Sequence, residues 1–364
     1  MMTPIKVLYI DDDPEEVRRI KTLLEASGSL HIDGRGPQYN IGENVDVTDL
    51  PDLFLIDYEL SKPYGDNPPA QYSGTTLTAA IRDKANSYPV VLLTKRSILD
   101  PVREQEHLGE LQLIDHLLFK HSLSDQESLN QTVDLIVGLA NGYQILRQTA
   151  QRGSNWDGLL KILEARSEEV QLLRLANLPL FLQERKSIWS PARLAIWIRH
   201  TLIAYPGILY DPVYAATELR ISVESFLSEE VQVLFTDAKY TGVFSPDEGR
   251  WWKQRLEKIA MEYVGDLDYA DRFAVVFEEK TGKNLDPSVS IVRNETPADT
   301  VCYIYHQPVM FEYTVAYRPD NRPPIMEPAR VSFKAIQQKS NEVQLAFLDG
   351  VDEDSLTQIR EMEL

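Results

Sequence analysis

Four short apolar runs, each stopping abruptly on a polar residue, constrain this chain more than any other feature. Lys6 to Ile10 (KVLYI) runs into Asp11, Asp12 and Asp13; Leu53 to Ile56 (LFLI) ends at Asp57; Val90 to Leu93 (VVLL) ends at Thr94; Ile114 to Phe119 ends at Lys120. Runs this short, rich in β-branched residues, predict strands buried on both faces. Segments with helical spacing separate them. After Pro14, the residues Val17, Ile20, Leu23 and Leu24 recur with Glu15 and Glu16 in the first turn, where the helix dipole favours acids. Thr75 to Lys84 and Ser124 to Leu146 read as two further helices. Strands alternating with helices predict a parallel sheet covered on both faces, with ligands bound at the carboxyl ends of the strands.

Those ends carry the polar residues. Asp11, Asp12, Asp57, Thr94 and Lys120 would bring three carboxylates, a hydroxyl and an ammonium to one rim. Turn and cap preferences account for a single acid, and Asp13 reads as a helix N-cap, but they do not explain a Thr and a Lys at the other two ends. Carboxylates with a few waters suit octahedral Mg²⁺. A further carboxylate can act as a nucleophile. Asp57 attacking a phosphoryl donor would form an aspartyl phosphate, with Mg²⁺ and Lys120 neutralising the transferred oxygens and Thr94 donating a hydrogen bond.

Over roughly residues 5 to 145 the sequence resembles the receiver domain of two-component response regulators, which implies a flavodoxin-like α/β fold with a doubly wound, five-stranded parallel sheet. The resemblance implies that Asp57 is the phosphoacceptor, that Asp11, Asp12 and Asp57 hold Mg²⁺, that Thr94 is the switch hydroxyl and that Lys120 contacts the phosphoryl group. It also implies a histidine kinase as partner. The sequence departs from the family pattern at several points. The Met-Pro pair after the phosphoacceptor is replaced by YELSKPYGDNPPAQYSG, so the equivalent glycine is delayed to Gly74 and Ser61 to Gly74 forms an insertion. Its Pro63, Pro68 and Pro69, with Gly65 and Asn67, predict an irregular surface flap. Leu117 stands at the usual aromatic position, His121 replaces the usual Pro after the Lys, and Lys95 with Arg96 follow Thr94 in place of a small residue. Either cation is placed to crowd an acyl phosphate and alter its lifetime. Gly34 to Asp49 lacks apolar periodicity, so the second receiver helix is expected to be short or irregular.

We divide the chain into a receiver at 1–150, a mainly helical output domain at 151–280 and a β-rich portion at 281–364, the last two packing separately or as one unit. The last receiver helix can run to Ala150, with Leu129, Val133, Ile136, Leu139 and Ile145 as a seam that packs on its own sheet, serves a homodimer or docks the next domain. Gln151 to Ser154 is the linker candidate. Leu159 to Leu163 begins an amphipathic element, Pro179 interrupts the next, and Ser190-Pro191 launches a helix over Ala192 to Ala204. All five tryptophans (156, 189, 197, 251 and 252) lie in the helical region and read as core. Ala215 to Phe226 faintly resembles a helix-turn-helix, but Ser222 to Leu234 has Glu224, Glu229 and Glu230 and no Lys or Arg, the reverse of a major-groove reader. Arg250 to Lys258 (RWWKQRLEK) reads as an amphipathic helix with solvated charges.

Five β-like runs then follow: 289–292, 301–305, 309–317, 331–336 and 343–347, with a Pro-rich loop at Arg318 to Pro328 and an acidic tail. His306 and Cys302 have no companion metal ligands in sequence and read as structural. We find no phosphate-binding glycine loop, nucleophile elbow or metalloprotease-like histidine pair.

With 37 Lys plus Arg against 56 Asp plus Glu, the formal charge is −19, which opposes binding to nucleic acid and to anionic membranes. The single cysteine rules out an intrachain disulfide. No apolar run approaches a membrane span and the N-terminus lacks a signal-peptide pattern, so a soluble cytoplasmic protein is expected. A receiver followed by a long acidic helical-then-β region is similar to atypical response regulators, some of them phosphate buffers of phage-defence operons. The sequence thus predicts a response regulator that works through protein contacts or as a phosphate sink, with a protein partner for its output domain. A DNA-binding transcriptional regulator and a phosphorylation-controlled enzyme are the alternatives.

Overall fold

A computed structural model describes residues 3–65, 68–95, 113–151, 156–175, 190–204, 206–318, 329–339, 343–350 and 353–362. Arg96, Asn67, Pro179, Trp189, the linker beyond Gln151 and nearly all of the Pro-rich loop lie outside these residues. The chain forms two compact units, Met1–Ile162 with Pro179–Trp197, and Leu163–Leu178 with Ile198–Leu364.

In the first unit, β1 (Ile5–Ile10), β2 (Leu30–Arg35), β3 (Leu53–Asp57), β4 (Val90–Thr94) and β5 (His116–Phe119) form one parallel sheet in the order β2-β1-β3-β4-β5. That is the flavodoxin-like order, in which the chain reverses direction across the sheet between β1 and β3 and leaves a crevice at their carboxyl ends. Every residue of β3 and β4 is buried, as expected for strands covered on both faces. Helix α1 (Pro14–Glu25) starts where the Asp13 side chain accepts from the Glu15 and Glu16 amides, and it buries Val17, Ile20 and Leu24. Helix α2 (Gly74–Lys84) is capped by Ser73, whose hydroxyl accepts from the Thr76 amide, and its Leu77 and Ile81 join the core with Phe54, Ile56, Val90 and Leu92.

Between β2 and β3 there is only the 3-10 turn Ile41–Asn44, which agrees with the poor periodicity of that stretch. Helix α3 (Gln126–Gln151) buries Leu129, Val133, Ile136, Leu139, Tyr143 and Leu146. The seam expected from sequence holds except at its last position, where Leu146 turns inward and Ile145 is exposed. One side of α3 packs on α4 (Pro191–Trp197) within the same unit. The predicted helix Ala192 to Ala204 is α-helical only to Trp197, and Ile198–Ile203 is π-helical.

In the second unit, Trp251–Trp252 is a strand rather than part of a helix. As β7 it pairs antiparallel with β6 (Leu209–Tyr210), and both indoles are buried in the core. Helix α5 (Pro212–Glu218) is followed by two short helices, α6 (Val223–Phe226) and α7 (Glu229–Leu234), which together break the would-be recognition segment. Helices α8 (Lys253–Val264) and α9 (Tyr269–Thr281) each end on a glycine of positive φ, Gly265 and Gly282, the usual left-handed stop. Arg255 corrects the expectation of solvated charges on this segment. It is buried, donating from Nε and Nη2 to the two oxygens of buried Glu169 at 2.7 and 3.0 Å.

The C-terminal sheet has the order β12-β10-β11-β8-β9, from β8 (Thr300–Cys302), β9 (Gln307–Val309), β10 (Thr314–Tyr317), β11 (Ala329–Ser332) and β12 (Leu348–Asp349). Four expected strands change form, and a fifth, 301–305, is strand only to Cys302. Residues 343–347 form a bend and the 3-10 turn Leu345–Phe347. Residues 289–292 are loop and turn, 309–317 is interrupted by the 3-10 turn Phe311–Tyr313, and 331–336 passes from strand to helix at Ser332, whose hydroxyl caps Phe333–Gln338. Among the described residues, no helix is long and apolar enough to cross a membrane.

Candidate functional site

Strand register brings the polar ends together. Ile10 lies beside Ile56 and Asp57 beside Leu93, so Asp11, Asp57 and Thr94 emerge from three adjacent strands. Thr94 in turn pairs with Phe119, which places Lys120 one step beyond the end of β5. Asp11, Asp12 and Asp57 are buried and each offers a carboxylate oxygen within 4.8 Å of the others. Lys120 Nζ bridges two of them, 2.7 Å from Asp57 Oδ1 and 2.8 Å from Asp11 Oδ2.

The remaining carboxylate oxygens are held from below and from the side. The Asp13 amide donates to Asp11 Oδ1 at 2.8 Å, and the Tyr9 hydroxyl donates to Asp11 Oδ2. Tyr9 and Asp11 are two apart at the end of β1, hence on one face, and that period-two relation is the signal in the sequence for this contact, which sequence analysis leaves unassigned. The Lys62 amide donates to Asp12 Oδ2 at 2.5 Å, so the insertion after Asp57 is tied directly to the acidic rim. Nothing in the sequence marks that bond, because it depends on the path of the loop and not on side-chain identity. Gly74 closes the far end of the same insertion. Its amide donates to the Tyr58 carbonyl at 2.9 Å, and a Cβ on it would lie 2.1 Å from the Asp57 carbonyl oxygen. Only glycine permits this approach.

Thr94 is buried beside the cluster, and its hydroxyl donates to the Lys95 carbonyl at 3.4 Å. The side chains of Lys62 and Lys95 line the same small depression as Asp11, Asp12, Asp57 and Lys120. Another buried acid of this unit, Asp115, lies before β5 and is satisfied by Arg82 at 2.6 Å, the Tyr143 hydroxyl at 2.6 Å and the Val90 amide at 2.7 Å. It belongs to the packing.

The electrostatics of the cluster follow from three carboxylates facing one ammonium out of water. Burial, with Asp11 nearby, pushes the Asp57 carboxyl up to about 7 even though Lys120 opposes the shift. Burial also raises Asp12, against the donation from the Lys62 amide. Burial alone would lower the Lys120 ammonium, but the attraction of Asp57 and Asp11 outweighs it and holds that pKa above the usual lysine value. Two negative charges remain uncompensated among these four groups. Oxygen donors only, two or three carboxylates and a small opening fit a hard divalent cation such as Mg²⁺, which prefers such ligands and keeps part of its water.

No family model matches the sequence, and no curated protein matches it. Solved structures do. The response regulator protein TrrA from Thermotoga maritima, in complex with Mg²⁺-BeF, is 23% identical over 36% of this chain and 98% of that chain, with a TM-score of 0.28. The receiver domain of the Francisella response regulator 1452 is 23% identical over 36% of this chain and 96% of that one, with a TM-score of 0.27. An adenylate cyclase from Rhodopirellula baltica is 14% identical over 38% and 91%, with a TM-score of 0.29. The order and direction of the five strands give the first unit a doubly wound, flavodoxin-like α/β fold, followed in the chain by a helical region and a β-containing C-terminal sheet.

Proposed function

We propose that the chain is a phosphorylation-dependent response regulator whose Asp57 accepts a phosphoryl group from the phosphohistidine of a partner kinase. The observation that carries this reading is Lys120 Nζ lying within 2.8 Å of both Asp57 and Asp11, among three buried carboxylates at the carboxyl edge of a parallel sheet. A structural ion pair needs one acid, whereas a site that handles a phosphoryl group needs a nucleophile, a cation for the transferred oxygens and further acids for a metal.

In the transfer, an ionised Asp57 oxygen attacks phosphorus while the phosphorus–nitrogen bond to the donor imidazole breaks. The electron pair stays on that nitrogen, which takes up a proton from solvent. Lys120 opposes the protonation of Asp57 that burial favours and then follows the charge onto the phosphoryl oxygens. Thr94, at the neighbouring strand end, donates its hydroxyl to one of those oxygens once it turns from the Lys95 carbonyl. Asp11, Asp12 and Asp57 would hold Mg²⁺, which when bound supplies positive charge to the transferred group. Attack of water on the acyl phosphate returns inorganic phosphate and free Asp57. The output is carried by protein contacts, or the receiver drains phosphate from its kinase.

Intact mass followed over time with Mg²⁺ and a small phosphoryl donor tests the reading. A phosphoryl-sized gain in the wild type, absent in Asp57→Ala, is expected. No gain, even from a histidine kinase, would reduce the acidic rim to a docking surface.

A further inference from the structure

A second site lies entirely within the second unit. Helix α5, the start of α8 and the edge of the C-terminal sheet enclose a cavity of about 620 Å³, within the range of small-molecule sites. Its charges are unevenly settled. Lys253 and Glu257 on one wall lie 3.7 Å apart and offset each other. Arg330 has no such partner. Among the described residues no carboxylate comes within 4.0 Å of its guanidinium, which donates to Thr314, from Nε to the hydroxyl at 2.5 Å and from Nη2 to the carbonyl at 3.1 Å. The guanidinium stacks 3.8 Å from the centroid of Phe311, a ring 56% exposed. Burial pulls the Arg330 pKa below its usual value, outweighing the attraction of Asp299.

Two carboxylates lining the same cavity, Glu218 and Asp299, have no cation within 4.0 Å among the described residues. Asp299 accepts from the Phe311 amide at 2.7 Å, which holds that ring under Arg330. Glu218 accepts from the hydroxyls of Tyr269 at 2.5 Å and Tyr210 at 3.4 Å, neutral donors that leave its charge in place. Among the described residues the cavity therefore presents one guanidinium and two carboxylates that are in no direct ion pair, beside the faces of Phe311 and Tyr210. A polyanion such as a nucleotide would meet the carboxylates, and a simple amine would leave Arg330 unpaired. A molecule with one carboxylate and one ammonium satisfies both.

We propose that this cavity binds a small zwitterion of the amino-acid class, its carboxylate on Arg330 and its ammonium toward Glu218 and Asp299. The site is independent of the phosphoryl chemistry of the receiver. It would give the output region a ligand of its own.

The test is a thermal-shift survey of the full chain against each proteinogenic amino acid, with AMP, inorganic phosphate and ethylamine alongside, followed by calorimetry on the strongest binder. At least one amino acid is expected to raise the midpoint. Arg330→Gln and Asp299→Asn are each expected to weaken its Kd about tenfold, the loss of one charge-assisted contact. Asp299 is exposed, so its amide variant keeps the question open to measurement if Arg330→Gln alters folding. Three results would overturn the proposal: no amino acid shifts the midpoint; AMP, phosphate or ethylamine does so in their place; or binding is indifferent to both substitutions.

Discussion

Replacing Asp57 by Asn removes a charge that the fold holds at a cost, so the variant should be more stable than the wild type by an amount that grows with pH. Asp57 is 6% exposed, and its carboxyl is pushed from 3.8 up to about 7. Between those two values the folded state holds a proton that the unfolded chain has released, so the stability of the wild type falls as pH rises. From about pH 5 to about pH 7 that is roughly two units at 1.36 kcal/mol each, or about 3 kcal/mol, and above about pH 7 the penalty levels off. Asn has no such proton, and its pH profile over this window should be flat by comparison. Hydrogen exchange at the β1 and β3 amides, read by mass spectrometry in metal-free buffer, measures the difference in the unit concerned. Saturating Mg²⁺ should shrink the gap, because a bound cation stabilises the ionised carboxylate. An equal wild-type-to-variant difference at pH 5 and pH 8 would refute the assignment of burial as the dominant influence on Asp57.

Four other outcomes follow from particular contacts. Gly74→Ala should destabilise the first unit by about 3 kcal/mol, since its Cβ would meet the Asp57 carbonyl at 2.1 Å; an unchanged melting midpoint would contradict that packing. Arg255→Ala should cost about 3–5 kcal/mol by leaving Glu169 buried and unpaired, while the double variant Arg255→Met, Glu169→Leu should recover most of it in denaturant titrations. His306 lies 3.1 Å from Asp211, and that hydrogen bond raises its pKa, so its contribution is full below about pH 6.5 and is lost as pH rises through the folded value. His306→Gln should accordingly cost more stability on the acid side of that window than at high pH. Lys95 lines the depression beside Asp57, and Lys95→Ala should change the half-life of the phosphorylated protein; equal half-lives would remove that lysine from the site.

What could be read from the sequence depended on how completely each element is buried. The runs LFLI and VVLL are covered on both faces, so hydrophobicity alone marks β3 and β4 within a residue of their observed ends. β2 has the sequence LHIDGR and alternates buried with exposed positions at the sheet edge, which leaves too few apolar residues to signal a strand. The acids and Lys120 of the candidate site were legible because parallel topology converts strand ends into one place. The Lys62 amide and the orientation of Thr94 were not, since each is set by loop path or by a rotamer. In the second unit Trp251 and Trp252 read as helix because RWWKQRLEK is continuous in composition, whereas pairing with Leu209 and Tyr210 fixes the first two as strand. Arg255 read as solvated because its partner Glu169 is far away in sequence, and the salt bridge decides its burial.

The tie between Gly74 and the peptide after Asp57 turns the intervening Tyr58–Ser73 segment into a loop closed at its base. Such a loop can change length cheaply, because each doubling adds only about 0.6 kcal/mol of closure entropy. Its near end is pinned by the Lys62 amide on Asp12, and its far end by Tyr72, which reaches the Gln38 carbonyl and accepts from Asn44. An insertion between those two anchors, such as a reporter or a foreign epitope, should therefore leave the strand ends around Asp57 in place.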